Sequence, residues 1–220
     1  GLIRHSVETT GIPAHEVCVL APQWFPLAAM TRQLVASMPG YEFDGPGLAP
    51  FARDTENFWY KLSRIALTEP SPSQYVRRLR WAGEVIESMT DAGINTSTYS
   101  RKWLLRECNS IRFDEENGLR YLRLFFDELF DRLGSDFGVL PQHQEHYVAF
   151  IDSSGARIER LHREGIANVE SISFFRRFFQ NRSGITVSTI HGVKGAEFDV
   201  VIAFALMEGM VPHFNGADGD

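Results

Sequence analysis

Residues 185–206 read ITVSTIHGVKGAEFDVVIAFAL, and they constrain the fold more than any other stretch. Val187, Thr189 and Ile190 belong to a β-branched run, which favours a buried strand. The run 200–206 (VVIAFAL) is unbroken in its apolarity, the pattern of a strand buried on both faces, as in a parallel sheet. Between the two lies a polar segment in which Gly192 and Gly195 allow a tight turn or close approach of a ligand to the backbone. The segment therefore predicts strand, glycine-containing loop, strand. In open α/β sheets ligands bind at the carboxyl ends of the strands, where such a loop sits.

The rest of the chain supplies partners for these strands. Residues 2–10 suit the end of a helix stopped by Gly11, Ile12 and Pro13. Residues 16–21 (EVCVLA) form a short apolar run, read as a parallel strand. A helix is expected over 26–38, with Pro26 in its first turn and Leu27, Met30, Leu34 and Val35 on one face. A short strand at 41–44 and a Gly45-Pro46-Gly47 turn follow. In the helix expected over 55–67, Phe58 and Trp59 belong to the core. Two prolines in 68–72 mark a boundary, and beyond it the periodicity is helical: 73–89, 98–108, 116–133, 142–162 and 169–179. Phe174, Phe175, Phe178 and Phe179 recur as a core stripe. The expectation is an α/β protein with a parallel sheet interrupted by an all-α insertion over 71–180.

Bulk properties narrow the function classes. At 220 residues with 44% hydrophobic content, the chain can bury a core and is no disordered tail. Its net charge of −6 argues against a generic nucleic-acid binder, so any DNA contact comes from a local groove. Basic residues do cluster in the insertion, including Arg77, Arg78, Arg80, Arg101, Lys102, Arg106, Arg157, Arg160, Arg163, Arg176 and Arg177. Such faces suit duplex phosphates; interleaved with Glu, they equally suit solvated helix surfaces. Cys18 and Cys108 lie far apart without metal spacing and read as reduced thiols, Cys18 in a buried strand. His143, His146 and His162 read as surface histidines, and no metal site is expected. No apolar run approaches the ~18 residues of a membrane span, and no signal pattern opens the chain. A cytoplasmic protein without a membrane partner is expected. Starting at Gly1 and ending in the loop-like 215–220, the chain also reads as a fragment.

The stretch TIHGVKGAEFDVVI, with MEGMVP after it, resembles motif V of the UvrD/Rep-type superfamily 1 DNA helicases, which runs T-x-H-x-x-K-G-L-E-F. The match is carried by Thr189, His191, Lys194, Gly195, Glu197 and Phe198, and by Glu208, Gly209 and Pro212 downstream. Ala196 stands where the family has leucine. The resemblance implies a RecA-like second motor lobe over 1–70 and 181–220, with 71–180 as its inserted helical subdomain. The strand at 16–21 is similar to the one preceding family motif IV. The arginine that the family places after it is replaced by Pro22 and Gln23. Phe51-Ala-Arg53 resembles the F-x-R start of motif IVa, near the DNA track, although Thr55 stands where an acidic residue is usual.

By this resemblance Thr189, His191, Gly192 and Arg53 face single-stranded DNA, while Glu197, Gly195 and Gln23 lie on the ATP side. The chemistry agrees for several of them. A threonine hydroxyl and an imidazole N–H both donate to phosphate oxygens. A carboxylate repels phosphate but accepts from ribose hydroxyls. Lys194 suits either a phosphate or an internal carboxylate. A loop that touches DNA with one end and nucleotide with the other can couple ATP state to grip. The pattern G-x-x-x-x-G-K-[ST] is absent. Mg²⁺ and most of the ATP contacts are thus expected on a missing N-terminal RecA-like lobe. The parent would be an ATP-dependent DNA helicase acting on single-stranded DNA, with duplex DNA as a further partner, and this piece alone would be inactive. The alternative is a non-catalytic nucleic-acid- or protein-binding module that keeps the helicase fold, for which the replaced arginine speaks. A helicase-nuclease is a third reading and needs a nuclease domain beyond this chain.

Overall fold

Strand β1 (Val17–Ala21) is the centre of the sheet, and its sequence VCVLA explains why. Val17, Cys18, Val19 and Ala21 are all buried, so both of its faces are covered. The computed structural model describes residues 1–134, 141–180 and 183–204, with side chains described for all of these except residues 24, 25, 141 and 142. β1 pairs in parallel with β3 (Ile185–Thr189) and with β4 (Val200–Ala203); β3 pairs in parallel with the short β2 (Phe43–Asp44). The order is β2-β3-β1-β4. The parallel sheet expected from the apolar runs at 16–21, 185–190 and 200–206 is therefore present.

The chain divides into two compact units. The first holds Gly1–Leu48, Arg163–Ile166 and the described part of Asn181–Asp220. Its N-terminal turn α1 (Leu2–Arg4) continues into a π-helical turn, His5–Thr9, that ends before Gly11 at φ +72°. Helix α2 (Trp24–Ser37) buries Leu27 and Thr31, and the Thr31 hydroxyl donates to the Leu27 carbonyl at 2.7 Å. Gly45 lies so close to this helix and to β3 that a Cβ there would meet Thr31 and Val187 within 2.9 Å. Asp44 accepts from the backbone N–H groups of Ser183 and Gly184, at 3.0 and 2.8 Å, and so fixes the entry into β3.

β4 departs from its expectation. Val201 is 52% exposed and Phe204 50%, and the strand alternates between half-buried and exposed residues. The apolar run at 200–206 predicts burial on both faces, but among the described residues β4 is last in the strand order, with one face half-buried and the other exposed. Residues 205 and 206 of that run lie outside the described residues.

The second unit holds Ala49–His162 and Ala167–Gln180. It is helical: α3 (Phe58–Leu67), α4 (Tyr75–Asp91), α5 (Arg101–Ser110), α6 (Gly118–Leu133), α7 (Pro141–Arg163) and α8 (Ile172–Arg177). Residues 49–70, which the sequence reading groups with the sheet, fall in this unit. The reason is the aromatic face of α3: Phe58, Trp59, Leu62 and Ile65 join the same core as Trp81, Leu104, Phe125 and Phe175. Asn57 caps α3 through its side-chain oxygen, accepting from Trp59 and Tyr60, and donates to the His146 carbonyl at 3.0 Å. Helix α6 is capped by the Asn117 side chain, which accepts from the Arg120 N–H at 3.0 Å, and its first residue is glycine because a Cβ there would strike the Phe175 ring at 2.5 Å.

Several surface expectations are corrected here. His143 is buried at 5% exposure, with its ring 4.8 Å from Phe58. Arg78, counted among the basic surface residues, is 4% exposed and donates to the Ile65 carbonyl at 3.2 Å. Arg176 pairs with Glu69 at 3.2 Å and lies over the Tyr121 ring. Cys108 is buried, which pushes its thiol up to about 12, and both cysteines are free thiols. Phe175 and Phe179 are buried while Phe174 and Phe178 are partly covered, so the phenylalanine stripe does face the core. Among the described residues no helix is long and apolar enough to cross a membrane.

Candidate functional site

The loop between β3 and β4 starts where β3 loses its pairing. Thr189 aligns with Ala21, so it stands at the carboxyl edge of the sheet. His191–Val193 form a single 3-10 turn, and the Ala196 N–H closes the next turn on the Val193 carbonyl at 2.9 Å. Gly195 has φ +84°, the left-handed region that favours glycine. Nothing lies within 4 Å of a Cβ built there, so its backbone conformation alone explains the residue.

Gly192 has a different reason. Its N–H donates to Thr189 Oγ1 at 3.1 Å, and a Cβ at this position would collide with Ser188 Oγ. A side chain here would displace the Ser188 hydroxyl, so glycine suits the packing of the loop as well as the close approach of nucleic acid expected from the sequence. Ser188, 8% exposed, is a site residue that sequence reasoning missed, since nothing in its spacing sets it apart.

The register fixes where the loop must go. β4 opens at Val200, which aligns with Val17 at the amino edge, while β3 closes at Thr189 opposite Ala21. Residues 190–199 thus return the chain across the sheet, a path of roughly 13 Å for the rise of β1. Thr189, His191 and Gly192 lie at the carboxyl-edge end of this path. Gly195 and Glu197 lie on the return toward the amino edge. Gln23, which caps the start of α2 just past β1, is exposed and makes no side-chain capping bond. It follows the last residue of β1 by two positions, at the carboxyl edge of the sheet.

Electrostatically the loop is open. His191, Lys194 and Glu197 are exposed, and among the described residues neither Lys194 nor Glu197 has an ion-pair partner. Thr189 Oγ1 accepts one bond and keeps its own proton to donate outward. Arg53 belongs to the helical unit, where it is exposed and its guanidinium lies 6.0 Å from the Phe178 ring centroid. Glu208, Gly209 and Pro212 lie outside the described residues. Compared with protein-family models, curated proteins and solved structures, the chain gives no significant match to any of them.

Proposed function

We propose that this chain is the second motor lobe of a UvrD-like DNA helicase, RecA-like and carrying an inserted helical subdomain. Its parent couples ATP binding and hydrolysis to movement on single-stranded DNA. The observation that carries the reading is the exposed loop with Thr189 and His191 at the carboxyl edge of a parallel sheet, where such folds bind ligands.

In this reading Thr189 Oγ1 and the His191 ring donate to DNA phosphates, contacts that hold a strand without reading its sequence. Gln23, at the same edge, offers a neutral amide rather than the charge of an arginine. Glu197, further along the return path, accepts from the ribose hydroxyls of ATP. Lys194 is free to meet a phosphate. Mg²⁺ and the phosphate cradle are assigned to the first lobe. The two ends of the loop thus serve two ligands a strand's length apart, and movement of either end shifts the other.

A second reading, a binding module without turnover, is favoured by Pro22 and Gln23, which leave no cation after β1. A binding titration tests the common core of both readings. The purified chain should bind oligo(dT) and a mixed-sequence single strand with equal affinity, falling with salt at a slope of about −0.7 per neutralised phosphate. Strong preference for one sequence, or no saturable binding at low salt, contradicts the proposal. In complex with its first lobe, a change of strand affinity on adding ATP supports the motor, and an unchanged affinity supports the module.

A further inference from the structure

A hollow edged by cationic side chains lies in the helical unit, far along the sequence from the loop. It has a volume of about 510 Å³ and sits between the turn before α4, the first turns of α4, and α5. That is within the range of small-ligand sites. Arg78, Lys102 and Arg106 line it together with Tyr75, Ser71 and Asn109, and none of its lining residues is a carboxylate. Lys102 and Arg106 are four apart on α5, and Tyr75 and Arg78 three apart on α4. Each pair therefore shares a helix face.

Buried charges are normally paired, and here the pairing is incomplete. Arg78 is 4% exposed, and its Nε has no acceptor. Burial pulls its pKa below the ordinary value. The nearby Glu69 pairs with Arg176 at 3.2 Å. Glu107 is divided between Arg106 at 3.4 Å and Arg132 at 3.9 Å. Asn109 Oδ1 is also buried without a donor. Tyr75, 45% exposed, adds an aromatic ring to the wall.

We propose that this hollow binds a nucleotide, with the phosphate held by Arg78, Lys102 and Arg106 and the base stacked on Tyr75. Cations alone would take any phosphate; the exposed Tyr75 ring beside them selects a nucleotide. Its source is either a free mononucleotide or the end of a strand.

Amide-resolved NMR of the isotope-labelled chain tests this with AMP, adenosine, inorganic phosphate, a phosphoserine peptide, and oligo(dT) with and without a 5′-phosphate. AMP should shift the amides of 71–78 and 102–109, saturably, while those of 189–197 stay in place. It should bind more tightly than adenosine or phosphate. The exposed pair Lys102→Glu with Arg106→Glu should weaken AMP about tenfold or more. Tyr75→Ala should weaken it about fivefold or more. The remaining spectrum reports that both variants are folded. A 5′-phosphorylated oligonucleotide that outbinds AMP at these amides identifies a strand end; tighter AMP identifies the free nucleotide. No saturable shift there, equal affinity in the charge-reversed variant, or a phosphoserine peptide bound as tightly as AMP overturns the proposal.

Discussion

The backbone N–H of Gly192 donates to Thr189 Oγ1 at 3.1 Å, and Ser188 Oγ fills the space beside the same glycine. The start of the β3–β4 loop is therefore held by the Thr189 hydroxyl and packed against that of Ser188. Gly192→Ala should destabilise the sheet unit by about 1–3 kcal/mol, the usual cost of forcing atoms into occupied space. Adding Ser188→Ala should recover most of that loss by removing the colliding oxygen. Denaturant unfolding of the two variants checks this, and a double variant no better than Gly192→Ala would refute the packing explanation.

The helical unit should respond to acid through His143. Burial, with His146 adding to it, lowers the folded-state pKa of His143 below its ordinary 6.5. The unfolded chain then takes up the proton first. Stability from this group is intact above about pH 6.5 and is lost as the pH falls toward the folded-state value. Melting curves at pH 7.5 and 5.5 should show the decline, and His143→Gln should flatten it. An equal decline in the variant would assign the acid sensitivity to other groups.

The sheet was legible in the sequence because its strands are short apolar, β-branched runs bounded by turn residues, and 16–21 and 185–190 needed nothing more. The exposure of β4 was not legible, since the composition of 200–206 states what the strand can bury and not how many neighbours it has. The place of α3 was hidden for a related reason: Phe58, Trp59, Leu62 and Ile65 define an apolar face, and periodicity does not name the surface it meets. His143 looked like a surface residue because its burial depends on α3 and on the Phe58 ring. In the loop, Thr189, His191, Lys194 and Glu197 singled out a candidate site through their resemblance to motif V. Its return across the sheet appeared only with the pairings Ala21–Thr189 and Val17–Val200.

The chain by itself should not turn over ATP. It contains no G-x-x-x-x-G-K-[ST] pattern to cradle the phosphates. Phosphate release with and without single-stranded DNA should match a protein-free blank. Turnover above the blank that disappears with Glu197→Ala would contradict the division of labour between two lobes.

If the loop carries DNA at its Thr189–His191 end and nucleotide at its Glu197 end, substitutions at the two ends must have different effects. The most direct measurement compares single-strand affinity of His191→Ala and Glu197→Ala at one fixed salt concentration, without nucleotide. A hydrogen bond to a charged phosphate contributes about 1.5–3 kcal/mol. His191→Ala should accordingly weaken binding by roughly tenfold or more, to the same extent for every base sequence. Glu197→Ala should leave nucleotide-free affinity unchanged. Equal weakening by both substitutions, or no weakening by His191→Ala, would contradict the account.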